Sequence, residues 1–140
     1  FTDNDITYSS AEQYMMYHKA MTFGDHEIAK EILLVHSCKE IKSLGRKVSG
    51  FTEDGWNQVK YHIVLKGNML KFQQTPKLHK LLLDTKKSIL VEASRYDKIW
   101  GVGIDVNDPK IYHQKSWKGT NLLGKVLMDV RSNLRLDIKK

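Results

Sequence analysis

The sequence predicts a mainly α-helical fold of the α+β class, a single compact domain of about six helices with two or three short strands. Two observations predict it. Apolar residues recur at helical spacing in several segments, and most of these segments begin with a capping signal such as Ser-x-x-Glu. A chain of 140 residues with 41% hydrophobic and 28% charged residues is also typical of one globular domain. We therefore expect residues 1–140 to fold around one core.

The chain opens with a predicted short strand around residues 6–8, and the first helix follows with the sequence SSAEQYMMYHKAM. Two N-caps fit this helix. Either Ser9 is the cap and Glu12 completes a capping box, or Ser10 is the cap and Gln13 takes that role. The first choice would give Glu12 a purely structural task.

Capping residues and apolar spacing then predict four further helix starts. The second helix carries apolar residues at helical spacing, the third opens with the capping box S-C-K-E, and a longer fourth helix follows a threonine cap; the expected ranges are 25–35, 37–45 and 52–74. Pro76 after Thr75 opens a fifth helix, because proline at the first helical position loses no hydrogen bond.

The second half of the chain is predicted to contain a strand, a glycine turn and a last helix. The apolar run KSILVEAS, residues 87–94, indicates the strand. Residues 94–98 turn the chain into IWGVGI, where two glycines permit a close approach to the backbone. The last helix is expected within 119–136, with Asn121 as a candidate N-cap and with free N–H groups that would suit an anion.

Charge and composition exclude several classes of protein. The formal net charge of +7 and the pI near 9.4 favour phosphate-bearing partners, although a role in solubility alone is equally compatible. The apolar runs are too short to span a membrane, and the start, FTDNDITY, does not read as a secretion signal. The single Cys38 allows no internal disulfide, and no histidine pair shows zinc-like spacing. We expect a cytoplasmic, monomeric protein without a structural metal.

Three acidic and basic residues are the first candidates for chemistry. Glu12 and Lys19 share a helix face with about 10 Å of rise between them, which is too far for a direct salt bridge. Asp97 lies between Tyr96 and Trp100, where a turn would hold a carboxylate against an aromatic wall. Aspartate is also simply a favoured turn residue, so both roles stay open.

Tryptophans and helix-start residues suggest the rest of a pocket. Trp56, Trp100 and Trp117 would suit stacking on a base or a sugar, although tryptophan is more often a core residue. Gly119 and Asn121 lie at the start of the last helix. Together these signals indicate a pocket for a flat ligand that carries phosphate.

Five blocks in this order resemble the NADAR family, also called YbiA-like: SAEQYMMYHKA, LGRKV, LKFQQTPKLHKLLLDT, LVEASRYDKIWGVG and WKGTNLLGKVLMDVR. The resemblance covers nearly the whole chain. It implies an N-glycosidase that cuts a ribose–nitrogen bond. Some members act on aminouracil ribose phosphates of the riboflavin pathway, and others remove ADP-ribose from guanine bases of nucleic acid. Members usually carry an S-N-F-like segment before the position of FTDNDITY, so we expect that segment to be missing here.

The resemblance assigns roles position by position. It implies that Glu12, Lys19 and Asp97 are catalytic. It implies substrate contacts for a larger set that supplies aromatic walls, a basic group and glycine turns: Arg46, Trp56, Trp100, Gly101, Gly103, Trp117, Gly119 and Asn121. No metal or redox cofactor is required.

A mechanism follows from these residue types. Breaking the ribose–nitrogen bond builds positive charge on the sugar, which a carboxylate of Glu12 or Asp97 would stabilise. Lys19 either pairs with a phosphate or attacks the anomeric carbon to form a Schiff base, while Arg46 and Lys71 hold phosphates. The net charge favours ADP-ribose on guanine of DNA or RNA as the substrate. The alternatives are an aminouracil ribose phosphate, or a non-catalytic module that binds ADP-ribose or nucleic acid.

Overall fold

A computed structural model describes residues 1–138, which form six α-helices, one two-stranded sheet and two short 3-10 helices. The predicted mainly α-helical fold with a small β contribution is therefore confirmed. The chain divides into two compact units, residues 1–79 and the residues from 80 onward. The expectation of one domain stays a prediction. None of the helices within residues 1–138 is long and apolar enough to cross a membrane.

The first unit begins with a β-hairpin in which β1, Thr2–Asp3, pairs antiparallel with β2, Ile6–Thr7. Gln74, a residue far along the chain, binds this hairpin through both polar atoms of its side-chain amide. The N–H of Thr2 donates to Gln74 Oε1 at 2.7 Å, and Gln74 Nε2 donates to the Thr2 carbonyl at 2.8 Å. A side-chain amide therefore pairs with the first strand as a neighbouring strand would.

The helices begin and end close to the predicted residues. Their bounds are α1 Ala11–Thr22, α2 His26–Leu34, α3 Cys38–Gly45, α4 Glu53–Gln74 and α5 Pro76–Asp84. The N-caps of the first four are Ser10, Asp25, Ser37 and Thr52, and each accepts a backbone N–H from three residues further on. The fifth helix starts at the predicted proline, and the boundary between the two units falls within it.

The start of α1 decides between the two predicted N-caps. Ser10 Oγ accepts the N–H of Gln13 at 3.0 Å, and Gln13 Oε1 accepts the N–H of Ser9 at 2.7 Å. Ser10 is confirmed as the N-cap, Gln13 reaches back to the N–H of Ser9, one residue before the cap, and the capping box of Ser9 with Glu12 is wrong. Gln13 also donates to the carbonyl of Ile32 in α2 at 3.0 Å, so the capping residue fixes one helix to the next.

The core of the first unit forms where α1 packs against α2, α3 and α4. Five side chains make its fully buried centre: Ala20, Ala29, Ile32, Ile41 and Val48. Gly67 of α4 has a packing role, because a Cβ on this residue would lie 2.5 Å from Cδ1 of Tyr14. Glycine lowers the helix propensity of α4 at this position, but its lack of a side chain permits the close contact between α1 and α4.

The second unit contains the last helix and a long irregular region. Helix α6 covers Leu122–Ile138, and the 3-10 helices cover Pro109–Tyr112 and Gln114–Ser116. Helix α6 begins three residues later than predicted. Its predicted apolar stripe is the buried face, where Val126, Val130 and Leu134 are almost fully inaccessible.

The strand predicted at residues 87–94 is wrong. This segment belongs to no sheet, because its polar backbone groups bond to the side chain of Asn121 and to a glycine turn. Asn121 Oδ1 accepts the N–H of Glu92 at 2.9 Å, and Asn121 Nδ2 donates to the Leu90 carbonyl at 2.8 Å. The N–H of Val102 donates to the Glu92 carbonyl at 3.0 Å. Apolar and β-branched residues predict a buried strand, but Ile89 is 55% exposed and Leu90 and Val91 are only partly buried.

Candidate active site

Lys19 lies among aromatic and basic side chains in the first unit. Its Nζ is 4.6 Å from the centre of the Phe51 ring and 6.0 Å from that of Trp56. Both distances fall within the range in which a ring face attracts an ammonium group. Lys19 and Trp56, which the sequence proposes for the site, are thus brought together, and we call them with Phe51 and Arg46 the Lys19 cluster.

Two effects act on the ionisation of Lys19. Burial lowers the pKa of the ammonium group, and the positive charge of Arg46 lowers this pKa further. A lower pKa increases the fraction of neutral amine near neutral pH, and the neutral amine is the nucleophilic form. The ring contacts oppose this shift, because they favour the charged form. The cluster therefore suits a lysine that binds an anion or attacks an electrophilic carbon.

Phe51 is a site residue that the sequence analysis missed. Thr52 is the N-cap of α4, so Phe51 and Trp56 occupy the two positions of a hydrophobic staple. The spacing F-T-x-x-x-W carries this signal in the sequence. Phe51 is 41% exposed and meets the ring of Phe23 edge to face, with 5.3 Å between the ring centres. Phe23 thereby holds the aromatic ring against Lys19.

Glu12 lies in the first turn of α1, seven residues before Lys19. The helix is continuous between them, so they share a face at about 10 Å of rise, as predicted. The side chain is partly buried, and its Oε1 is shielded from solvent. A carboxylate at this end of a helix is stabilised by the helix dipole.

Lys71 lies apart from the Lys19 cluster. It follows Trp56 by fifteen residues on α4, which corresponds to roughly 22 Å along the helix axis. Its Nζ lies 5.6 Å from the ring centre of Phe72. Lys71 and Lys19 therefore do not contact one and the same phosphate group.

Tyrosine and histidine side chains on α1 bind this helix to the hairpin. Tyr14 donates its hydroxyl hydrogen to Asp3 Oδ2 at 3.1 Å, and Lys66 Nζ lies 3.9 Å from the same oxygen. His18 Nε2 and the Tyr8 hydroxyl are 3.5 Å apart. Burial lowers the pKa of His18, so the ring favours its neutral form. Because His18 precedes Lys19, this cluster fixes the helix turn that carries the lysine.

Asp97 in the second unit closes a tight turn. Its Oδ1 accepts the N–H groups of Ile99 at 2.9 Å and of Trp100 at 2.8 Å. The N–H of Asp97 itself donates to Ser94 Oγ at 3.2 Å. The turn-forming role is confirmed, and the catalytic role stays a prediction. Within residues 1–138 no hydrogen bond reaches Oδ2, so the carboxylate keeps one oxygen for chemistry.

Three glycines of the predicted site allow two backbone segments to cross. A Cβ on Gly101 would lie 2.8 Å from the Asp97 carbonyl oxygen and 2.9 Å from that of Glu92, and one on Gly119 would overlap the Gly101 carbonyl. Gly103 has a φ of +70°, which side-chain-bearing residues rarely adopt. These glycines hold the Asp97 turn against the start of α6. Their contact with substrate stays a prediction.

The anion site predicted at the start of the last helix is wrong. The backbone N–H groups there already donate to carbonyls at 3.0 Å: Asn121 to Gly101, Leu122 to Ile99 and Leu123 to Trp100. The N-cap role of Asn121 is also wrong, since both polar atoms of its side chain bond to Leu90 and Glu92. With 3% of its surface exposed, Asn121 is a buried cross-link.

The two tryptophans of the second unit are partly buried. Trp117 Nε1 donates to the Ile111 carbonyl at 2.8 Å, which fixes the orientation of its indole ring. Trp100 follows the Asp97 turn directly. The structure thus gathers Asp97, Trp100 and the glycines in one unit, and the Lys19 cluster in the other. Common participation of the two sets in one site stays a prediction. Residues 1–138 contain no group of three or more His, Cys, Asp or Glu side chains placed to hold a metal ion.

Comparisons with known proteins agree with this picture. The sequence pattern of the NADAR domain matches residues 1–135. N-glycosidase R617 of Acanthamoeba polyphaga mimivirus is 48% identical over 124 residues, which cover 89% of this chain and 73% of that protein. The chloroplastic riboflavin biosynthesis protein PYRR of Zea mays is 32% identical over 136 residues, or 92% of this chain and 20% of that protein. The NMR structure of the E. coli protein YbiA matches with a TM-score of 0.74 and 31% identity, over 93% of this chain and 69% of that one.

Proposed function

Because the chain belongs to the NADAR family, as its five sequence blocks predicted, we propose that it is an N-glycosidase that removes ADP-ribose from guanine bases of nucleic acid. The general activity, hydrolysis of a ribose–nitrogen bond, agrees with the name N-glycosidase that the mimivirus relative and YbiA carry. The choice of substrate is the finer part of the proposal.

The observation that carries the proposal is the Lys19 cluster. A half-buried amine lies against two aromatic rings and next to Arg46, and burial lowers its pKa. Aromatic rings suit a nucleobase or a ribose, and a guanidinium suits a phosphate. An amine in this setting suits attack on the anomeric carbon, which joins the ribose to the base.

In the covalent route, the neutral amine of Lys19 attacks the anomeric carbon of the ribose. A carbon–nitrogen bond to Lys19 forms, the bond to the base breaks, and the base leaves with a proton from Glu12 or from water. Opening of the sugar ring gives a protonated Schiff base, which water hydrolyses to release the sugar and the free lysine. The reaction balances with water as the only co-reactant.

In the direct route, a water molecule attacks the same carbon while positive charge develops on the ribose. A carboxylate near that carbon stabilises this charge, and Oδ2 of Asp97 or the carboxylate of Glu12 would serve. The other carboxyl group would transfer the proton. Lys19 then acts by binding a phosphate.

Two other functions each have some support. PYRR bears the name of a riboflavin biosynthesis protein, which favours an aminouracil ribose phosphate as the substrate. The net charge of +7 also suits a module that binds ADP-ribose or nucleic acid without cleaving it. The net charge leads us to place the modified nucleic acid first among these.

One incubation separates the three functions. The protein is mixed separately with an ADP-ribosylated guanine oligonucleotide and with an aminouracil ribose phosphate, and the products are weighed by mass spectrometry. Release of ADP-ribose from the first alone supports the proposal. Cleavage of the second alone replaces it with the riboflavin-type activity. Salt-dependent binding without any product leaves the non-catalytic module.

Substitutions of the carboxylates test their chemistry. Glu12→Gln and Asp97→Asn should each lower turnover at least ~10²-fold, the usual scale for acid–base groups. The amide of Asp97→Asn keeps an oxygen for the turn, so folding should persist. Asp25→Asn is the matched control, because Asp25 also accepts backbone N–H groups and caps α2. Near-normal turnover in both site variants would remove these carboxylates from the chemistry.

Trapping with borohydride tests the covalent route. Reduction during turnover should leave a sugar attached to Lys19, found by peptide mass, and Lys19→Ala should show no such adduct. If the native enzyme turns over without any trapped adduct, the direct route stands in place of the covalent one.

A further inference from the structure

The region from residue 95 to residue 118 exposes two aromatic rings and several basic side chains. Tyr96 is 86% exposed and Tyr112 is 85% exposed, more than the other large aromatic side chains within residues 1–138. Rings left in water to this extent contribute little to the core, so they are free to stack on a partner. The same stretch carries five basic residues, Arg95, Lys98, Lys110, Lys115 and Lys118, against three aspartates.

A cavity of about 400 Å³ lies in this region, with Arg95, Lys118 and Gly103 among its lining residues. Asp105 and Asp108 line it too. Each of these carboxylates accepts a backbone N–H at 2.9 Å through its Oδ1, so part of its charge is directed at the backbone. The volume is near the lower end for small-ligand sites, which suits one nucleotide.

Arg95 lines this cavity, and its side chain contacts that of Tyr96. The guanidinium carbon of Arg95 is 5.8 Å from the centre of the Tyr96 ring, and Arg95 Nη1 is 3.5 Å from the Tyr96 hydroxyl. A ring face beside a cation matches the alternation of base and phosphate along a nucleic acid strand.

We propose that the surface formed by Tyr96 and by the cavity that Arg95 and Lys118 line docks single-stranded nucleic acid. A base stacks on Tyr96, and the adjoining phosphate pairs with Arg95 and Lys118. The strand is single because the bases of a duplex have no free face to stack on a tyrosine. This docking surface rests on the proposed function, since it supplies the strand that carries the modified guanine.

Binding of an unmodified, fluorescein-labelled single-stranded oligonucleotide to the whole chain tests the surface directly. Fluorescence anisotropy between 50 and 200 mM salt gives the Kd. Tyr96→Leu should weaken binding about 5- to 100-fold, while Tyr96→Phe, which keeps the ring, should bind like the native protein. The double variant R95E/K118E should weaken binding at least tenfold and flatten its salt dependence by about 1.4 in logarithmic slope.

The matched control is K39E/K42E, which also reverses two charges, on the exposed face of α3. It should keep its Kd within about threefold of the native value. An equal loss in K39E/K42E and R95E/K118E would show that net charge alone drives binding and would overturn the proposal. Native-like binding by Tyr96→Leu, or equal affinity for a duplex of the same sequence, would overturn it as well.

Kinetics separate this surface from the reaction. With ADP-ribosylated oligonucleotide, Tyr96→Leu should raise KM and leave kcat unchanged, and with ADP-ribosylated guanosine it should change neither. Turnover of both substrates with no effect of Tyr96→Leu on either would refute the docking surface and spare the activity. Absence of turnover together with the predicted losses of oligonucleotide binding would refute the proposed reaction and support the docking surface.

Discussion

Replacement of Asn121 by alanine should destabilise the protein strongly, although the residue lies just outside helix α6. Its side chain satisfies the Glu92 N–H and the Leu90 carbonyl at a position that is 3% exposed. Alanine leaves both of these partly buried groups without this partner, and each unpaired group costs up to about 1–3 kcal/mol. Asn121 also has a φ of +53°, a left-handed conformation that costs alanine about 1 kcal/mol more. The expected loss is about 3–7 kcal/mol.

Urea unfolding measures this loss in the free energy of unfolding. Tryptophan fluorescence reports on it, since Trp100 and Trp117 lie in the same unit. Asn121→Gly is the control for backbone strain: it loses the same two hydrogen bonds without the left-handed penalty. If Asn121→Ala loses less than about 1 kcal/mol, and the free energy of unfolding depends on urea concentration as in the native protein, the cross-link is refuted. If that stable variant also lost turnover, Asn121 would be a substrate contact, as the resemblance implies.

Two further predictions concern α1 and its lysine. Trapping of a sugar aldehyde on Lys19 by borohydride should rise with pH through a pKa below the usual 10.5, because burial and Arg46 lower it. Phe51→Leu, which removes the ring but stays apolar, should lower that pKa further, and an unchanged profile would contradict the ring contact. By linkage, the cost of burying the ammonium is fully present below the folded pKa and disappears as pH rises toward 10.5. Ser10→Ala should lower the free energy of unfolding by about 1 kcal/mol in a urea titration, whereas an unchanged free energy of unfolding would contradict the assignment of the cap.

Local chemistry made the helices predictable. Ser37, Thr52 and Pro76 start helices because their own side chains or ring favour that position, whatever lies around them. The run at 87–94 failed as a strand because its apolar and β-branched residues do not say which group supplies the backbone hydrogen bonds. That group is Asn121, about thirty positions away in sequence, and no local pattern connects the two segments.

The site was predictable to the extent that motifs carry it. Lys19 and Asp97 lie in blocks that resemble the family, Trp56 lies between two such blocks, and the structure places Lys19 and Trp56 in one cluster. Phe51 was missed because a residue before an N-cap reads as part of a loop unless the staple spacing to Trp56 is noticed. Helix α6 alone predicts free N–H groups at its start. In the structure these N–H groups donate to carbonyls of a segment about twenty residues earlier, which no local pattern shows.

The irregular region around Asp97 has a consequence for dynamics. The amide hydrogens of Asp97, Ile99, Trp100 and Val102 are bonded inside the second unit, so they should exchange with deuterium more slowly than free amides. The lack of regular secondary structure here does not imply a flexible backbone. This loop loses its conformational entropy when the chain folds. A ligand that binds to it therefore does not have to order the loop, and this favours affinity.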